Sequence, residues 1–280
     1  MPAIAPLLRA VPSAVFGSTA AGTGVLERAD RAVRSPLALS RRIGFVQLVG
    51  GVGASTTAAL VADLVAHRRN GPVLGVDAAA GDRSMLWQSG LTETPLLDDG
   101  ARRAPVRTAD ATAGLARTAS GLYALDVREP SDDAPGAPRR QATEARWAAH
   151  VAPVTRFFDV VCTDWGVRAP GVDLTAVAFA SHAVCLVART DRVSLERAMA
   201  VVEAVRALEH RPAVVVAAVD VGDAGSRAVQ AVRWPDVPLL RIPHEAARAT
   251  GSPRPTRELT IATRTAHARL AAALVTGGAP

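Results

Sequence analysis

Lysine is missing from all 280 residues: the 32 basic side chains are arginines, set against 26 aspartates and glutamates for a formal charge of +6. Any cation this chain offers a ligand is therefore a guanidinium. A sequence pI near 10.9 raises the question of a nucleic-acid or anionic-lipid face. The arginines alternate with acids and form no long run, which fits a solvated surface with arginine-rich codon bias and speaks against nucleic acid. Cysteine is also scarce. Cys162 and Cys185 lie inside apolar runs without metal-ligand spacing, which predicts buried free thiols and suits the cytoplasm. The single tyrosine, Tyr123, and six scattered histidines supply no Tyr/Lys or His/Asp catalytic pair. No run reaches the roughly 18 apolar residues of a membrane span. The opening MPAIAPLLRAVPSAVFG has no basic region ahead of its apolar part and carries Pro2, Pro6 and Pro12, so it makes a poor signal peptide.

What the chain does have is an apolar core fraction of 49% and one conspicuous turn. In IGFVQLVGGVGASTTAA, Ile43 to Ala59, a buried strand through Ile43, Phe45, Val46, Leu48 and Val49 breaks into Gly50, Gly51 and Gly53. A helix then begins at Ser55, Thr56 and Thr57. Backbone N–H groups of such a turn and the positive end of the helix dipole converge on one spot, where an anion binds without a charged side chain. The helix runs to Arg69 and is stopped by Asn70 and Gly71; a second strand, Pro72 to Val76, ends in Asp77 and completes a parallel βαβ unit.

Further on, residues 81–140 carry the weakest pattern, with one strand at Leu122 to Val127 and a Pro/Asp/Gly loop at Glu129 to Arg140. A helix near Ala142 to Val154 leads to the strand Phe158 to Thr163, closed by Asp164. The alternation continues with strand Ala183–Ala188, helix Ser194–Leu208 capped by Ser194, and strand Ala213–Val219. Helix Ala224–Val232, strand Val237–Ile242 and helix Thr256–Val275 follow. Near-continuous Val/Ala/Leu strands between helices predict a three-layer, doubly wound α/β domain over 41–277, its mostly parallel sheet covered on both faces. Residues 1–40 read as a flexible arm, with a short mixed-charge helix before the first strand.

On the phosphate-loop template G-x-x-x-x-G-K-[ST], with Gly53 as the second glycine, only Gly53 and Ser55 match; Leu48 and Ala54 replace the first glycine and the lysine. The loop resembles that of the MinD/ParA-like P-loop ATPases, Lys-Gly-Gly-x-Gly-Lys-Ser/Thr-Thr. Here those places hold Val49, Gly50, Gly51, Val52, Gly53, Ala54, Ser55 and Thr56. The Gly-Ala-Ser-Thr ending is similar to the degenerate CpaE-like branch and to MinD-like proteins encoded beside type VII secretion systems. The resemblance covers roughly Arg41 to Val275. It implies nucleotide binding by Gly50 through Thr56, with Mg²⁺ held by Ser55 and by Asp164 of a Walker B-like strand, FFDVVCTD. Asp77 becomes the candidate catalytic acid, from a strand that ends Asp-x-Asp in the family.

The departures from that pattern bear on activity. Both lysines are gone, the second acid after Asp77 is Ala79, and Ala217-Ala218-Val219-Asp220 replaces the adenine-reading asparagine. Arg83, six residues past Asp77, and Arg189, just after the strand Ala183–Ala188, lie near the right end of the sheet to substitute, but each reads first as a surface residue. ATP and Mg²⁺ are thus expected to bind weakly, with little or no turnover, because those cations stabilise charge on the transferred phosphoryl. The leading reading is a pseudo-ATPase acting as a localisation or scaffold factor for a secretion, pilus or division machine. It would work through protein partners and homodimerisation, in the cytoplasm or peripheral to the membrane. An active dimerising switch is the alternative. A third reading is an NAD(P)-binding oxidoreductase, since Gly51-Val52-Gly53 begins G-x-G-x-x-G and Asp77 lies 24 residues beyond Gly53. It fails at the third glycine position, Thr56.

Overall fold

The strand ahead of the glycine turn, β1 (Arg41–Gln47), has five consecutive buried residues and lies between two parallel neighbours, which is why its sequence is apolar on both faces. A computed structural model of the chain describes residues 22–92, 105–130, 138–222, 236–249, 253–254 and 256–277. The other strands are β2 (Val73–Asp77), β3 (Ala116–Arg117), β4 (Tyr123–Asp126), β5 (Val160–Val167), β6 (Ala183–Arg189), β7 (Ala213–Val219) and β8 (Leu239–Ile242). They form one sheet in the order β3-β4-β2-β5-β1-β6-β7-β8, parallel except for the β3–β4 pair.

Helices cover both faces. A helix over residues 22–34 (α1), α2 (Ala54–Arg68) and α3 (Met85–Gln88) lie on one side. Short α4 (Thr108–Thr112) precedes β3; α5 (Glu144–His150), α6 (Val172–Ala180) and α7 (Arg192–Arg206) cover the other side. Four-residue α8 (Ala246–Ala249) leads to α9 (Ile261–Thr276), which returns to pack against α2. Alternate strand residues divide between the two cores. Val46, Leu74, Val161 and Leu186 meet Trp147 and Leu195, while Ile43, Phe45, Val73, Val160 and Cys162 meet Ala58, Val61 and Leu270. Both cysteines are free and buried, and burial raises both thiol pKa values.

The three-layer α/β sheet is the architecture the alternating pattern predicts, with four differences. First, β2 is not beside β1: β5 stands between them. The βαβ unit therefore skips a place, unlike the nucleotide half of a 3-2-1-4-5-6 Rossmann sheet, and the oxidoreductase reading loses its topological support. Second, Asp164 does not close its strand, because β5 continues to Val167 through an irregularity opposite Phe45 and Val46. Third, α7 is capped by Asp191, whose carboxylate accepts from the Ser194 N–H at 2.9 Å, so the cap lies three residues upstream of Ser194. Fourth, the short helix expected before the first strand spans 22–34 and is packed on the domain, with Ala29 and Val33 buried and Val33 in the α2-side core. Amphipathic spacing within ERADRAVR carries that helix. Residues 1–21 and the expected helix Ala224–Val232 lie outside the described residues.

Phe45 is fully buried at the centre of β1. Replacing it by alanine should cost about 3–5 kcal/mol, the usual range for emptying a large aromatic site in a tight core. Urea unfolding should show a lower midpoint and an unchanged m-value.

Candidate phosphate-binding site

Three aspartates meet near the carboxyl edge of the sheet because three parallel strands run in register, β2 and β4 ending at Asp77 and Asp126 while β5 passes through Asp164. Asp77 of β2 is the cross-strand neighbour of both Asp126 of β4 and Asp164 of β5. Residues 73, 75 and 77, 160, 162 and 164, and 124 and 126 share the sheet face covered by α2, so all three carboxyl groups lie on that side. All three are buried.

The glycine turn lies beside this row. Gly51 has φ 78° and Gly53 φ 90°, a left-handed backbone that glycine adopts without strain. Gly53 is the N-cap of α2, with no side-chain cap bond and no acid in the first turn. The Thr57 N–H is the donor to the Gly53 carbonyl at 2.9 Å, so the N–H groups of Ala54, Ser55 and Thr56 precede the first helical bond and have no acceptor within the helix. Gly50 and Gly51 are exposed, with open space where a Cβ would stand. These are the main-chain features that the phosphate-loop resemblance implies for an anion cradle. Of the two positions where the resemblance places lysines, Ala54 is a buried methyl group and Val49 is half exposed.

Burial raises the Asp164 carboxyl pKa, against the pull of the Ser55 hydroxyl, the Gly166 N–H, Arg128 and Arg168. Its Oδ1 accepts from Gly166 N at 3.0 Å, while Oδ2 is buried with no hydrogen-bond partner. An orphaned carboxylate oxygen beside a serine hydroxyl fits a cation that brings its own water shell, as Mg²⁺ does. No group of three or more His, Cys, Asp or Glu side chains among the described residues is arranged to hold a metal; Ser55 and Asp164 are the residues that would hold Mg²⁺ in the reading the resemblance implies. Such an ion, held by Ser55 and Asp164, would supply positive charge beside an anion in the loop.

Asp77 has no such freedom. Both its oxygens accept from the Leu86 N–H, at 3.3 and 3.4 Å, and Arg128 stands 3.8 Å away. Burial, with the charges of Asp164 and Asp126 added, pushes its pKa to about 7 despite Arg128 and Ser84. Ala79 is buried where the second acid would stand, and a Cβ on Gly166, itself at φ 66°, would come within 2.7 Å of the Ala79 Cβ. Ala79 itself supplies no carboxylate that could orient a water.

Asp126, Arg128 and Arg168 are site residues that sequence reasoning missed, although Asp126-Val127-Arg128 follows an apolar strand just as Asp77 does. Burial opposes ionisation of Asp126, but hydrogen bonds and charge from Arg128 outweigh it and hold its pKa below the usual carboxylate value. Arg168 is buried over the Trp165 ring and donates to the Trp165 and Ala142 carbonyls; burial lowers its pKa to about 10. The arginines considered as substitutes are engaged elsewhere. Arg83 lies over Trp87, and Arg189 ends β6 close enough to favour the Asp191 carboxylate. Asp220, in the base-reading position, is paired with Arg241 at 2.9 Å.

No family model matches the sequence, and no curated protein matches it. Solved structures do. The MinC:MinD cell division complex of Aquifex aeolicus aligns with TM-score 0.58 at 18% identity over 82% of this chain and 95% of that one. MinD of Pyrococcus horikoshii with Mg-ADP gives 0.56 at 17% over 83% and 95%. A ParA family ATPase of Chlorobium tepidum gives 0.52 at 16% over 83% and 92%. At these identities the likeness establishes a P-loop NTPase-like α/β fold of the MinD/ParA type, and a fold does not fix a reaction.

Asp77 makes a signed prediction. With a folded pKa near 7 against an ordinary aspartate value of 3.8, its contribution to stability is fully present below about pH 4 and is lost as pH rises through 7, by up to about 4 kcal/mol. Asp164, also raised, has the same sign; Asp126, lowered, loses its contribution only in acid. Urea melts at pH 5 and pH 8 should show less fall in stability for Asp77→Asn than for the wild type.

Proposed function

We propose that this protein is a MinD/ParA-like nucleotide-binding protein with a degenerate phosphate loop, a pseudo-ATPase that works as a localisation or scaffold factor through protein partners. The observation that supports this reading best is the pairing of an intact main-chain cradle with the loss of its cations. Gly51 and Gly53 keep the left-handed turn, α2 keeps its uncapped N-terminus, and Asp164 keeps an unpartnered oxygen, yet Ala54 and Val49 stand where the lysines would. Each missing charge-assisted hydrogen bond costs about 1.5–3 kcal/mol, one to two powers of ten in affinity. Hydrolysis suffers more, since transition-state charge is what those groups stabilise.

The named relatives include a division ATPase bound to its protein partner MinC. By analogy, the partners here belong to a secretion, pilus or division assembly, with a second copy of the chain as one of them. No helix among the described residues is long and apolar enough to cross a membrane. The working location is the cytoplasm, including the inner membrane face.

Titration of the purified protein with a fluorescent ATP analogue, in Mg²⁺ and in EDTA, tests the proposal. The expected Kd is on the order of millimolar, with phosphate release indistinguishable from buffer. Ala54→Lys should tighten binding about ten- to a hundredfold. Vigorous Mg²⁺-dependent hydrolysis, or tight binding coupled to dimerisation, would overturn it in favour of an active switch.

A further inference from the structure

The loop between β2 and α3, residues 78–84, rims the carboxyl edge beside the phosphate cradle, and intramolecular bonds hold it. The Ala78 N–H donates to the Asp164 carbonyl at 2.9 Å, the Ala142 N–H to the Ala78 carbonyl at 3.0 Å, and the Gly81 N–H to the Arg139 carbonyl at 3.2 Å. The Gly81 carbonyl in turn accepts from Arg128 Nη1. That guanidinium forks onto Asp126, Nε to Oδ1 at 2.9 Å and Nη2 to Oδ2 at 2.6 Å, and its Nη2 stands 3.8 Å from Asp77. Arg139 makes a second ion pair with Asp126. Reciprocal Glu129–Arg140 backbone bonds of 3.1 and 2.9 Å tie the return strand to this arrangement. One buried arginine thus touches two of the three carboxylates and the backbone of the loop.

A loop that is switched by ligand gains its ordering contacts only when the ligand arrives, and a ligand shifts a conformation only by its differential affinity for the two states. Here the positive charge and the anchoring donors are covalently part of the chain. A ligand entering the cradle finds the loop already held and has little left to shift.

We propose that Arg128 is a positioning residue, the resident cation of the site, which holds residues 78–84 closed whether or not a polyphosphate is bound. This rests on the function proposed above only for the identity of the ligand; the clamp is a property of the free protein.

Hydrogen–deuterium exchange on the full-length chain tests it. In the free wild-type protein the amides of Ala78 and Gly81 should be protected. In Arg128→Met they should exchange about ten- to a hundredfold faster, the cost of one charge-assisted bond, while peptides from β6 and β7 keep their wild-type rates. Arg128→Lys keeps the charge without the fork and should fall between; it carries the test if the methionine variant does not fold. Millimolar ADP or ATP with Mg²⁺ should leave the wild-type loop unchanged. Unprotected loop amides in the free wild type, wild-type rates in both variants, or loosening equal across β6 and β7 would overturn the proposal. So would marked slowing of the loop by nucleotide. Absence of any nucleotide binding, with the loop loosened in the Arg128 variants, would refute the nucleotide reading and leave the clamp standing.

Discussion

The insertion of β5 between β1 and β2 is the constraint on which the site depends. It places Asp164 in register with Asp77 and under the first turn of α2, so that the glycine cradle and the carboxylate row share one edge. Were β2 to pair directly with β1, Asp77 would adjoin the cradle and Asp164 would be remote from it. An irregularity in β5 follows Asp164, opposite Phe45 and Val46. It turns Gly166 into a left-handed conformation, lets its N–H satisfy one oxygen of Asp164, and seats Gly166 against Ala79.

Putting three carboxylates out of water on adjacent strands is expensive unless they are paired or protonated. The molecule resolves this unequally. Asp126 is ionised and forked by Arg128; Asp77 has a pKa near neutrality; Asp164 retains an unsatisfied oxygen. Charge that a nucleotide-hydrolysing site would direct at a ligand is here spent largely inside the protein.

This division of charge bears on the choice between a turning-over enzyme and a scaffold. A main-chain cradle recognises phosphate through donors that survive any side-chain substitution, whereas transition-state stabilisation needs cations aimed at the transferred group. The proposed reading rests on the second being lost here while the first is kept, since Ala54 and Val49 stand where the resemblance places lysines.

The sequence alone determined the alternation of strands and helices, because burial on two faces demands unbroken apolar strands. It also determined the glycine turn, because only glycine occupies a left-handed backbone freely, and the absence of lysine, which is a matter of composition. It misassigned the cap of α7, since Asp191 and Ser194 both suit that role and only backbone geometry separates them. The tertiary structure decided which strands are neighbours, a long-range choice that leaves no local pattern. Through that choice it decided that Asp126 and Arg128, which lie in the stretch with the weakest periodicity, join Asp77 and Asp164 at one edge, because side chains far apart along the chain acquire a common electrostatic environment only when the sheet brings them into register.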